Sequence, residues 1–306
     1  MQKLIYKLTG FGLNIWSLVA PKSAAEAAIR LFSTPPKPSV RHKERMFLDT
    51  ALQIRRKVAG QEIVEYHWGD ANAPTILLSY GWGYNAGRWR HFVPELLKAG
   101  YHVLAYDPPG HGLAPTGQLN IPLNAAIIRA LTEDYGPAEA IVAHSFGGSS
   151  SVYALQELPR YLHPRRMVVM ASFSYAPRVF REYQKALGLL PSLYWRIVRG
   201  FEQRVGHSLD YYDFAMMTAD LPHVEALLVH SPGDPVTPYT EARRYHDFWP
   251  GSRLFSPPEG GHHLGTASIT QAVLEFVLDG KTPADVERQE RPVYAGHELV
   301  RYFAGM

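Results

Sequence analysis

The chain has 306 residues, of which 46% are hydrophobic, as expected for a globular protein with a substantial core. Lys and Arg number 31 against 28 Asp and Glu, and the resulting formal charge of +3 is too small to indicate nucleic-acid binding. The absence of cysteine excludes disulfides, Cys-ligated zinc and a thiol nucleophile. It leaves the redox compartment open, and a cytoplasmic location is the default expectation.

The N-terminal segment has a basic start and small residues, as a signal peptide does, but Lys7, Gly10, Gly12 and Asn14 interrupt its apolar part. It also lacks the roughly 18 uninterrupted apolar residues of a spanning helix. Its apolar residues fall near one helical face: Leu4, Leu8, Phe11, Ile15, Leu18 and Val19. We favour a helix packed on the protein, with a peripheral membrane anchor through residues 1–20 and a signal peptide as alternatives.

A Pro-rich passage at 33–40 predicts an extended linker, and beyond it short apolar runs alternate with helical patterns. The predicted strands cover 62–68, 75–81, 101–107, 139–145, 165–172, 225–231 and 252–258. The predicted helices cover 86–100, 122–136, 148–158, 239–249 and 268–280. Continuously apolar strands that alternate with helices indicate an α/β fold with a mostly parallel, doubly wound sheet covered on both faces.

One stretch, 173–222, departs from this alternation and is rich in aromatic residues. We expect it to form several short helices, a helical cap inserted at the carboxyl end of a strand, where ligands bind in open α/β sheets. Most of its aromatics would pack on the body, and some would line an apolar pocket. The predicted organisation is a helical extension with linker (1–50), a core in two parts (51–172 and 223–280), the cap (173–222) and a C-terminal tail (281–306).

The segment "VAHSFGG" places Ser145 between a predicted strand and a predicted helix. This is typical of the nucleophile turn G-x-S-x-G, with Ala143 in place of the first glycine. A serine hydroxyl needs a neighbouring base that is itself oriented by an acid. Asp234 in "GDPVTP" and His262 in "GGHH" each follow a later strand and supply these groups. His263 is the alternative base, and Asp107 is the alternative carboxylate.

From about Gln61 to Asp279 the chain resembles the α/β-hydrolase fold family. The order Ser145, Asp234, His262 is that of the family's triad. Four further segments resemble family motifs: "LLSYGWG", "YDPPGHGLA", "GDPVTP" and "GGHH". The chain departs from the family pattern at Tyr80, where His is usual, at Ala114 and at Ala143.

The resemblance implies that Ser145 is the nucleophile, with Asp234 as the acid and His262 as the base. It further implies that the backbone N–H groups of Trp82 and Phe146 form an oxyanion hole. It implies no cofactor, and the many histidines lack the H-E-x-x-H spacing of a metal site. By the same resemblance Asp107 orders its loop, while His111 and His144 are structural, with His144 pointing away from the site.

The expected function is that of a serine hydrolase, which cleaves an ester, thioester or similar acyl bond of a small hydrophobic substrate. Acyl transfer, C–C bond hydrolysis and perhydrolysis remain alternatives, because the same triad supports them. A non-catalytic binding protein of this fold and a membrane-associated lipase-like enzyme are further alternatives. Haloalkane dehalogenation is disfavoured, because it uses a carboxylate nucleophile. The oligomeric state is not indicated.

Overall fold

The computed structural model describes residues 2–36 and 39–289, which form two compact units. Unit 1 combines the N-terminal residues up to Pro35 with Tyr175–Asp213. Unit 2 contains Pro36–Ser174 and the chain from Phe214 onward. The packing of the N-terminal segment with part of the insertion in unit 1 differs from the predicted organisation, in which the two are separate. The cap boundaries of 173–222 stay a prediction, and residues 290–306 of the predicted tail lie outside the described residues.

Unit 2 contains one nine-stranded sheet with the order β1-β2-β4-β3-β5-β6-β7-β8-β9. Its strands are β1 (Leu52–Val58), β2 (Gln61–Trp68), β3 (Thr75–Ser79), β4 (His102–Asp107), β5 (Ala140–His144), β6 (Arg166–Met170), β7 (Glu225–Val229), β8 (Arg253–Phe255) and β9 (Glu287–Arg288). The strands from β4 to β8 in this order are parallel, whereas β1, β2 and β9 are antiparallel to their neighbours. The prediction of a mostly parallel α/β sheet is therefore confirmed.

The helices of unit 2 are α3 (His42–Leu48), α4 (Val93–Lys98), α5 (Ile121–Tyr135), α6 (Phe146–Glu157), α9 (Phe214–Met217), α10 (Thr240–Phe248) and α11 (Ala267–Asp279). Two of these helices begin at a residue whose side chain caps the helix. The Asn120 side chain accepts the Leu123 amide at the start of α5, and Thr266 does the same for Ile269 at the start of α11. Every residue of β3, β4, β5 and β6 is buried, as expected for central parallel strands covered on both faces.

Besides β9, a two-residue strand within the predicted C-terminal tail, two elements of unit 2 differ from the sequence-based expectation. The predicted helix 86–100 is a 3-10 helix, Ala86–His91, followed by α4, because Pro94 lies in the first turn of α4 and has no N–H to continue a longer helix. Strand β1 was not predicted. It is an edge strand with polar, largely exposed side chains, so it lacks the apolar run that marks the central strands.

The sheet order places β3 between β4 and β5, although β4 follows β3 in the chain. After β3 the chain crosses over to form β4 on one side of β3. After β4 it crosses back to form β5 on the other side of β3. Such a reversal opens a crevice beyond the carboxyl ends of the two strands. The loop that follows β3 and the turn that follows β5 both begin at this crevice, and they carry Trp82 and Ser145.

Unit 1 consists of α1 (Gln2–Val19), α2 (Pro21–Ser33), α7 (Ala176–Leu187), α8 (Pro191–Val205) and a 3-10 turn, Leu209–Tyr211. Aromatic rings join the N-terminal and inserted helices: the Phe180 ring centroid lies 4.7 Å from that of Phe32 and 4.9 Å from that of Phe201. The Tyr183 hydroxyl donates to the Ala28 carbonyl over 2.9 Å, and Arg204 pairs with Glu26. Such contacts make one packed body from two distant parts of the chain.

Helix α1 packs on this body through small and polar residues and through Leu13, its one buried large apolar side chain among those described. Gly10 lies directly against the Leu187 backbone, and Asn14 exchanges two hydrogen bonds of 2.9 Å with the Gly188 carbonyl and the Leu190 amide. The apolar face is exposed instead, as Leu8 at 60% illustrates. The favoured interpretation, a helix packed on the protein, therefore holds within unit 1, but the side that packs is the one opposite the apolar face. Periodicity locates the two faces of a helix and leaves open which of them is covered.

We expect Gly10→Ala to weaken unit 1, because the added Cβ would lie 1.8 Å from the Leu187 carbonyl oxygen. Gly12→Ala is the matched control, since no atom lies within 4 Å of its Cβ and alanine favours the helix. In chemical denaturation, Gly10→Ala should lower the free energy of unfolding by about 1–3 kcal/mol, with faster tryptic cleavage after Lys7. Equal stability and cleavage in the two variants would contradict this packing.

Candidate active site

The turn from β5 into α6 places Ser145 at a positive φ of 52°, a conformation that is strained for any residue with a side chain. The Ser145 amide donates to the Met170 carbonyl over 2.8 Å, which fixes the turn to β6. A Cβ on Gly147 would lie 2.6 Å from the Ser79 carbonyl oxygen, and a Cβ on Gly148 would lie 2.7 Å from Ser172 Oγ. Both glycines are therefore required by close approach of the neighbouring strands.

The missing glycine of the nucleophile motif has a simple local explanation. Ala143 is a regular, fully buried residue of β5, and it is paired with Ser79 on one side and Val169 on the other. Its backbone does not adopt a positive φ, so nothing at this position demands a glycine. The tight part of the turn begins at Ser145 and includes Gly147 and Gly148.

The structure brings Ser145, His262 and Asp234 into one chain of contacts. His262 Nε2 lies 3.2 Å from Ser145 Oγ, and His262 Nδ1 lies 2.8 Å from Asp234 Oδ2. His262 belongs to the loop between β8 and α11, and Asp234 follows β7. The two residues thus come from the two loop positions that the sequence analysis named. For His263 the only described approach to these groups is its ring, 6.4 Å from that of His262.

Asp234 is held as a carboxylate by a full set of donors. Its side chain is completely buried, and Oδ1 accepts the amides of Val236 and Thr237 over 2.7 and 3.0 Å. Burial alone would raise the pKa of Asp234, but His230, His262 and the two amides outweigh it and hold the pKa far below its ordinary value. Asp234 therefore stays charged over the whole working range of pH.

His144, expected to point away from the site, lies beside it. Its Nε2–H donates to the His262 carbonyl over 2.7 Å, and Arg88 Nη2 donates to the His263 carbonyl over 2.6 Å. The side chains of His144 and Arg88 therefore hold the backbone of the loop that contains His262 and His263, which we call the histidine loop. Burial, together with the nearby Arg88, keeps the pKa of His144 well below 6.5, so its ring is neutral and Nδ1 carries a lone pair.

The loop after β3 is fixed by the buried carboxylate of Asp107. Oδ1 accepts the Tyr80 hydroxyl at 2.7 Å and the Ala86 amide at 2.9 Å, while Oδ2 accepts the Tyr66 hydroxyl at 2.7 Å and the Leu113 amide at 2.8 Å. Tyr80, which replaces the usual histidine, therefore still attaches this loop to the core. Asp107 orders its loop and does not contact His262, in agreement with its expected role.

A second attachment comes from His111. Its Nδ1–H donates to the Pro109 carbonyl over 3.0 Å, and its Nε2 accepts the Gly83 amide over 2.9 Å. This pair of contacts fixes a neutral ring with the proton on Nδ1. Burial lowers the pKa of His111 below 6.5, although the Pro109 carbonyl and Asp107 act in the opposite direction. Its expected structural role is thus to hold the loop that carries Trp82.

The backbone amides of Trp82 and Phe146 have no protein acceptor among residues 2–36 and 39–289. Phe146 is the first residue of α6, where an amide has no partner within the helix and the helix dipole favours negative charge. The Trp82 and Phe146 ring centroids lie 5.3 Å apart. Phe146 directly follows Ser145, and a Cβ on Gly81, the residue before Trp82, would lie 3.0 Å from Ser145 Cβ, so both amides belong to segments next to Ser145.

A cavity of about 250 Å³ opens above these groups. Its lining residues are Gly81, Trp82, Tyr84, Arg88, His144, Ser145, Val236, His262 and His263. Apolar surface dominates the lining, and Arg88 is the cation in it. Burial lowers the pKa of Arg88 to about 10, which leaves it protonated at neutral pH. Within the described residues, no group of three or more His, Cys, Asp or Glu side chains could hold a metal ion.

Three residues that shape this site were not predicted in these positions: Arg88 and His144, which line the cavity, and His230, which lies beside Asp234. His230 Nε2 donates to the Thr237 carbonyl over 2.8 Å and lies 3.4 Å from Asp234 Oδ2. Its place at the end of β7, four residues before Asp234, is a signal that could have suggested this contact. Arg88 lies in a 3-10 helix distant in sequence from its partner loop, and no local pattern indicates it.

We expect acid to destabilise the protein through His111. Above about pH 6.5 the imidazole is neutral in both the folded and the unfolded chain, so its contribution is complete there. Below pH 6.5 the unfolded chain takes up a proton that the folded site resists. The free energy of unfolding should then fall by up to about 1.4 kcal/mol per pH unit for this group. Denaturant titrations between about pH 6.5 and pH 5 measure this slope.

His111→Gln should reduce this pH slope, since glutamine can still accept the Gly83 amide but does not titrate. His42→Gln, at an exposed position in α3, controls for the loss of an imidazole elsewhere. A slope in His111→Gln that equals the wild-type slope would contradict the assigned tautomer and burial.

Known proteins with similar sequences are found over part of the chain. Epoxide hydrolase A of Mycobacterium tuberculosis is 32% identical over 111 residues, which cover 35% of this chain and 33% of that protein. A bifunctional esterase/perhydrolase of Acinetobacter calcoaceticus is 30% identical over 103 residues, 33% of this chain and 37% of its own. The matching stretches thus span about a third of these relatives.

Solved structures agree over a longer stretch, with low sequence identity. An enol-lactonase from Burkholderia xenovorans superposes with a TM-score of 0.57 and 18% identity, covering 74% of this chain and 100% of its own. An esterase from Exiguobacterium antarcticum gives a TM-score of 0.57 and 16% identity, over 74% and 99%. The model of the alpha/beta hydrolase family matches residues 75–276, more than half of the chain. The chain therefore belongs to the alpha/beta hydrolase family.

Proposed function

We propose that the protein is a serine hydrolase that cleaves an ester, thioester or similar acyl bond through an acyl-enzyme. One observation carries the proposal: Ser145 Oγ, the His262 ring and the Asp234 carboxylate are in continuous contact at one wall of the cavity. A hydroxyl, an imidazole and a buried carboxylate in this order are the parts that activate a serine at neutral pH.

The roles follow from the atoms in contact. Asp234 accepts the Nδ1–H of His262, which leaves the Nε2 lone pair directed at Ser145 Oγ. As Ser145 attacks the substrate carbonyl, His262 takes the hydroxyl proton and later gives it to the leaving group. The charge on Asp234 stabilises the imidazolium in between. A water activated by His262 then hydrolyses the acyl group from Ser145.

The negative charge that develops on the carbonyl oxygen needs donors fixed in advance. We assign this role to the Trp82 and Phe146 amides, which have no protein acceptor in the described part of the chain. The Tyr80–Asp107 and Gly83–His111 hydrogen bonds hold the Trp82 loop in place, so this donor costs no reorganisation during the reaction. Loss of one such donor typically lowers kcat by about 10²–10³-fold.

The nucleophile favours acyl chemistry over epoxide opening, although one relative is an epoxide hydrolase. A serine that opened an epoxide would form an ether, which water does not cleave under mild conditions. A serine that attacks an acyl carbon forms an ester, which water cleaves readily. The esterase/perhydrolase relative is compatible with the same intermediate, since peroxide can replace water as the acceptor.

The substrate class is proposed from the cavity lining. Trp82, Tyr84 and Val236 provide apolar contact surface, and a volume of about 250 Å³ suits a small acyl group. We therefore propose a small substrate with a hydrophobic acyl part.

The direct test is Ser145→Ala, assayed with p-nitrophenyl esters of graded acyl length and with a fluorophosphonate probe. We expect kcat to fall by roughly four to six orders of magnitude, since the nucleophile is lost. The wild-type protein should react with the probe at Ser145 and should show highest kcat/KM at one short acyl length. A folded wild-type protein that neither labels nor turns over any ester would contradict the proposal and favour a non-catalytic binding protein.

The two adjacent histidines allow a matched comparison. His262→Gln should lower kcat by about 10³-fold or more, because it removes the base in contact with Ser145. His263→Gln should change kcat by less than about tenfold, because its ring contacts neither Ser145 nor Asp234. Both kcat and KM should be measured with the same ester. Equal losses in the two variants would show that the base is wrongly assigned.

A further inference from the structure

Helix α1 carries an apolar surface of unusual extent on its outward face. At 100° per residue, eight of its side chains span roughly 160° of the helix circumference. These are Leu4, Ile5, Leu8, Phe11, Ile15, Trp16, Leu18 and Val19, which we call the α1 face. All eight are exposed, from 43% at Trp16 to 87% at Val19. Including Tyr6, α1 contributes nine of the seventeen exposed large hydrophobic side chains in the described residues.

Directional contacts on the opposite side keep the α1 face outward. Lys7 Nζ donates to the Lys185 carbonyl over 2.6 Å, and Asn14 bonds both the Gly188 carbonyl and the Leu190 amide. Gly10 fits against Leu187 with no room for a side chain. An exchange of the two faces would break these bonds and place bulky side chains against the α7 backbone. The exposure of the α1 face is therefore built into unit 1.

The charge of unit 1 identifies the kind of surface that this face fits. Residues 1–35 and 175–213 contain ten Lys and Arg against five Asp and Glu, while the rest of the chain contains 21 against 23. The first acidic residue of the chain is Glu26, so the whole of α1 lacks negative charge. Lys3 and Lys7 follow one edge of the α1 face at helical spacing. An apolar face edged by lysines and containing Trp and Phe matches the interface of an anionic lipid bilayer.

Other arrangements of the same face fit less well. No helix in the described part of the chain is long and apolar enough to cross a membrane, and Lys3, Lys7 and Asn14 interrupt α1 itself. A symmetric dimer through the α1 face would offer the lysines no acidic partner from α1, which carries no negative charge. A helix lying in the plane of a bilayer does not need to span it, and it gives the exposed Lys3 an anionic partner in the lipid headgroups.

We propose that α1 binds the surface of an anionic phospholipid bilayer, with the α1 face buried among the acyl chains and Lys3 at the headgroups. Unit 1 thereby attaches the protein to the membrane without spanning it. This inference is independent of the proposed catalysis, since it involves neither Ser145 nor its cavity.

The test is co-sedimentation of the full chain with vesicles of phosphatidylcholine alone or mixed with phosphatidylglycerol. We expect clear binding to the mixed vesicles, weaker binding to phosphatidylcholine, and a loss of the difference at about 0.5 M NaCl. The double variant Leu8→Glu/Phe11→Glu should lower the partition coefficient on mixed vesicles by about tenfold or more.

The matched control is Met46→Glu/Leu52→Glu, which adds the same two charges at equally exposed apolar residues of unit 2. It should bind mixed vesicles within about twofold of the wild type, apart from the general effect of two added charges. Thermal unfolding of both double variants shows whether they are folded, and the exposure of all four positions predicts that they are.

Three results would overturn the proposal. The first is a wild-type protein that does not sediment with mixed vesicles. The second is equal binding by Leu8→Glu/Phe11→Glu and its control. The third is a photo-crosslinker at position 11 that reacts with a second copy or with residues 290–306 in the presence of mixed vesicles and leaves the lipid unlabelled. That result would assign the α1 face to a protein contact.

Discussion

The turn at Ser145 is the constraint on which the rest of the site depends. A positive φ at a residue with a side chain is costly, and it persists only where the surroundings hold it. Here the Ser145 amide is bonded to β6, and three neighbours have no side chain to obstruct the turn. Gly147 and Gly148 allow β3 and β6 to pack closely against the start of α6. A Cβ on Gly81 would lie 3.0 Å from both Ser145 Cβ and His144 Nδ1. The glycines thus leave room for the Ser145 turn between the neighbouring segments.

Two buried polar side chains, Asp107 and His144, connect the other loops of the site to that turn. Asp107 collects four hydrogen bonds from β2, from the loop after β3 and from its own loop, so the Trp82 amide is held by the core of the sheet. His144, directly before Ser145, bonds the His262 carbonyl and so couples the histidine loop to the nucleophile turn. Each group is fully buried, so a lost partner would leave an unsatisfied polar atom. These hydrogen bonds of the site therefore form within the protein and need no substrate.

Much of this could be predicted from sequence, because it follows local patterns. Apolar strands alternating with helices predicted the parallel sheet, and Gly, Pro and Asp at strand ends marked the loops that converge on one crevice. The triad roles of Ser145, Asp234 and His262 remain a proposal, for which the contacts now provide geometry. The departures at Tyr80 and Ala143 lose their significance, since Tyr80 bonds Asp107 and Ala143 is an ordinary strand residue.

The rest depends on contacts between distant segments, which periodicity does not encode. Arg88 meets the His263 carbonyl across 175 residues, and the role of His144 emerges only when the loops are assembled. The union of the N-terminal helices with α7 and α8 is of the same kind. The residue periodicity of α1 predicted an apolar face. The side of α1 that packs on the protein is instead fixed by contacts of Gly10 and Asn14, whose partners lie more than 170 residues away in the chain.

Chemical trapping during turnover tests the central claim, that Ser145 carries the acyl group. The wild-type protein is mixed with a p-nitrophenyl ester, quenched in acid within the first turnovers, digested and analysed by mass spectrometry. The account predicts an acyl adduct on the peptide that contains Ser145, absent from Ser145→Ala and discharged when the reaction is allowed to finish. Steady turnover with no adduct, or with an adduct on a different side chain, would contradict it.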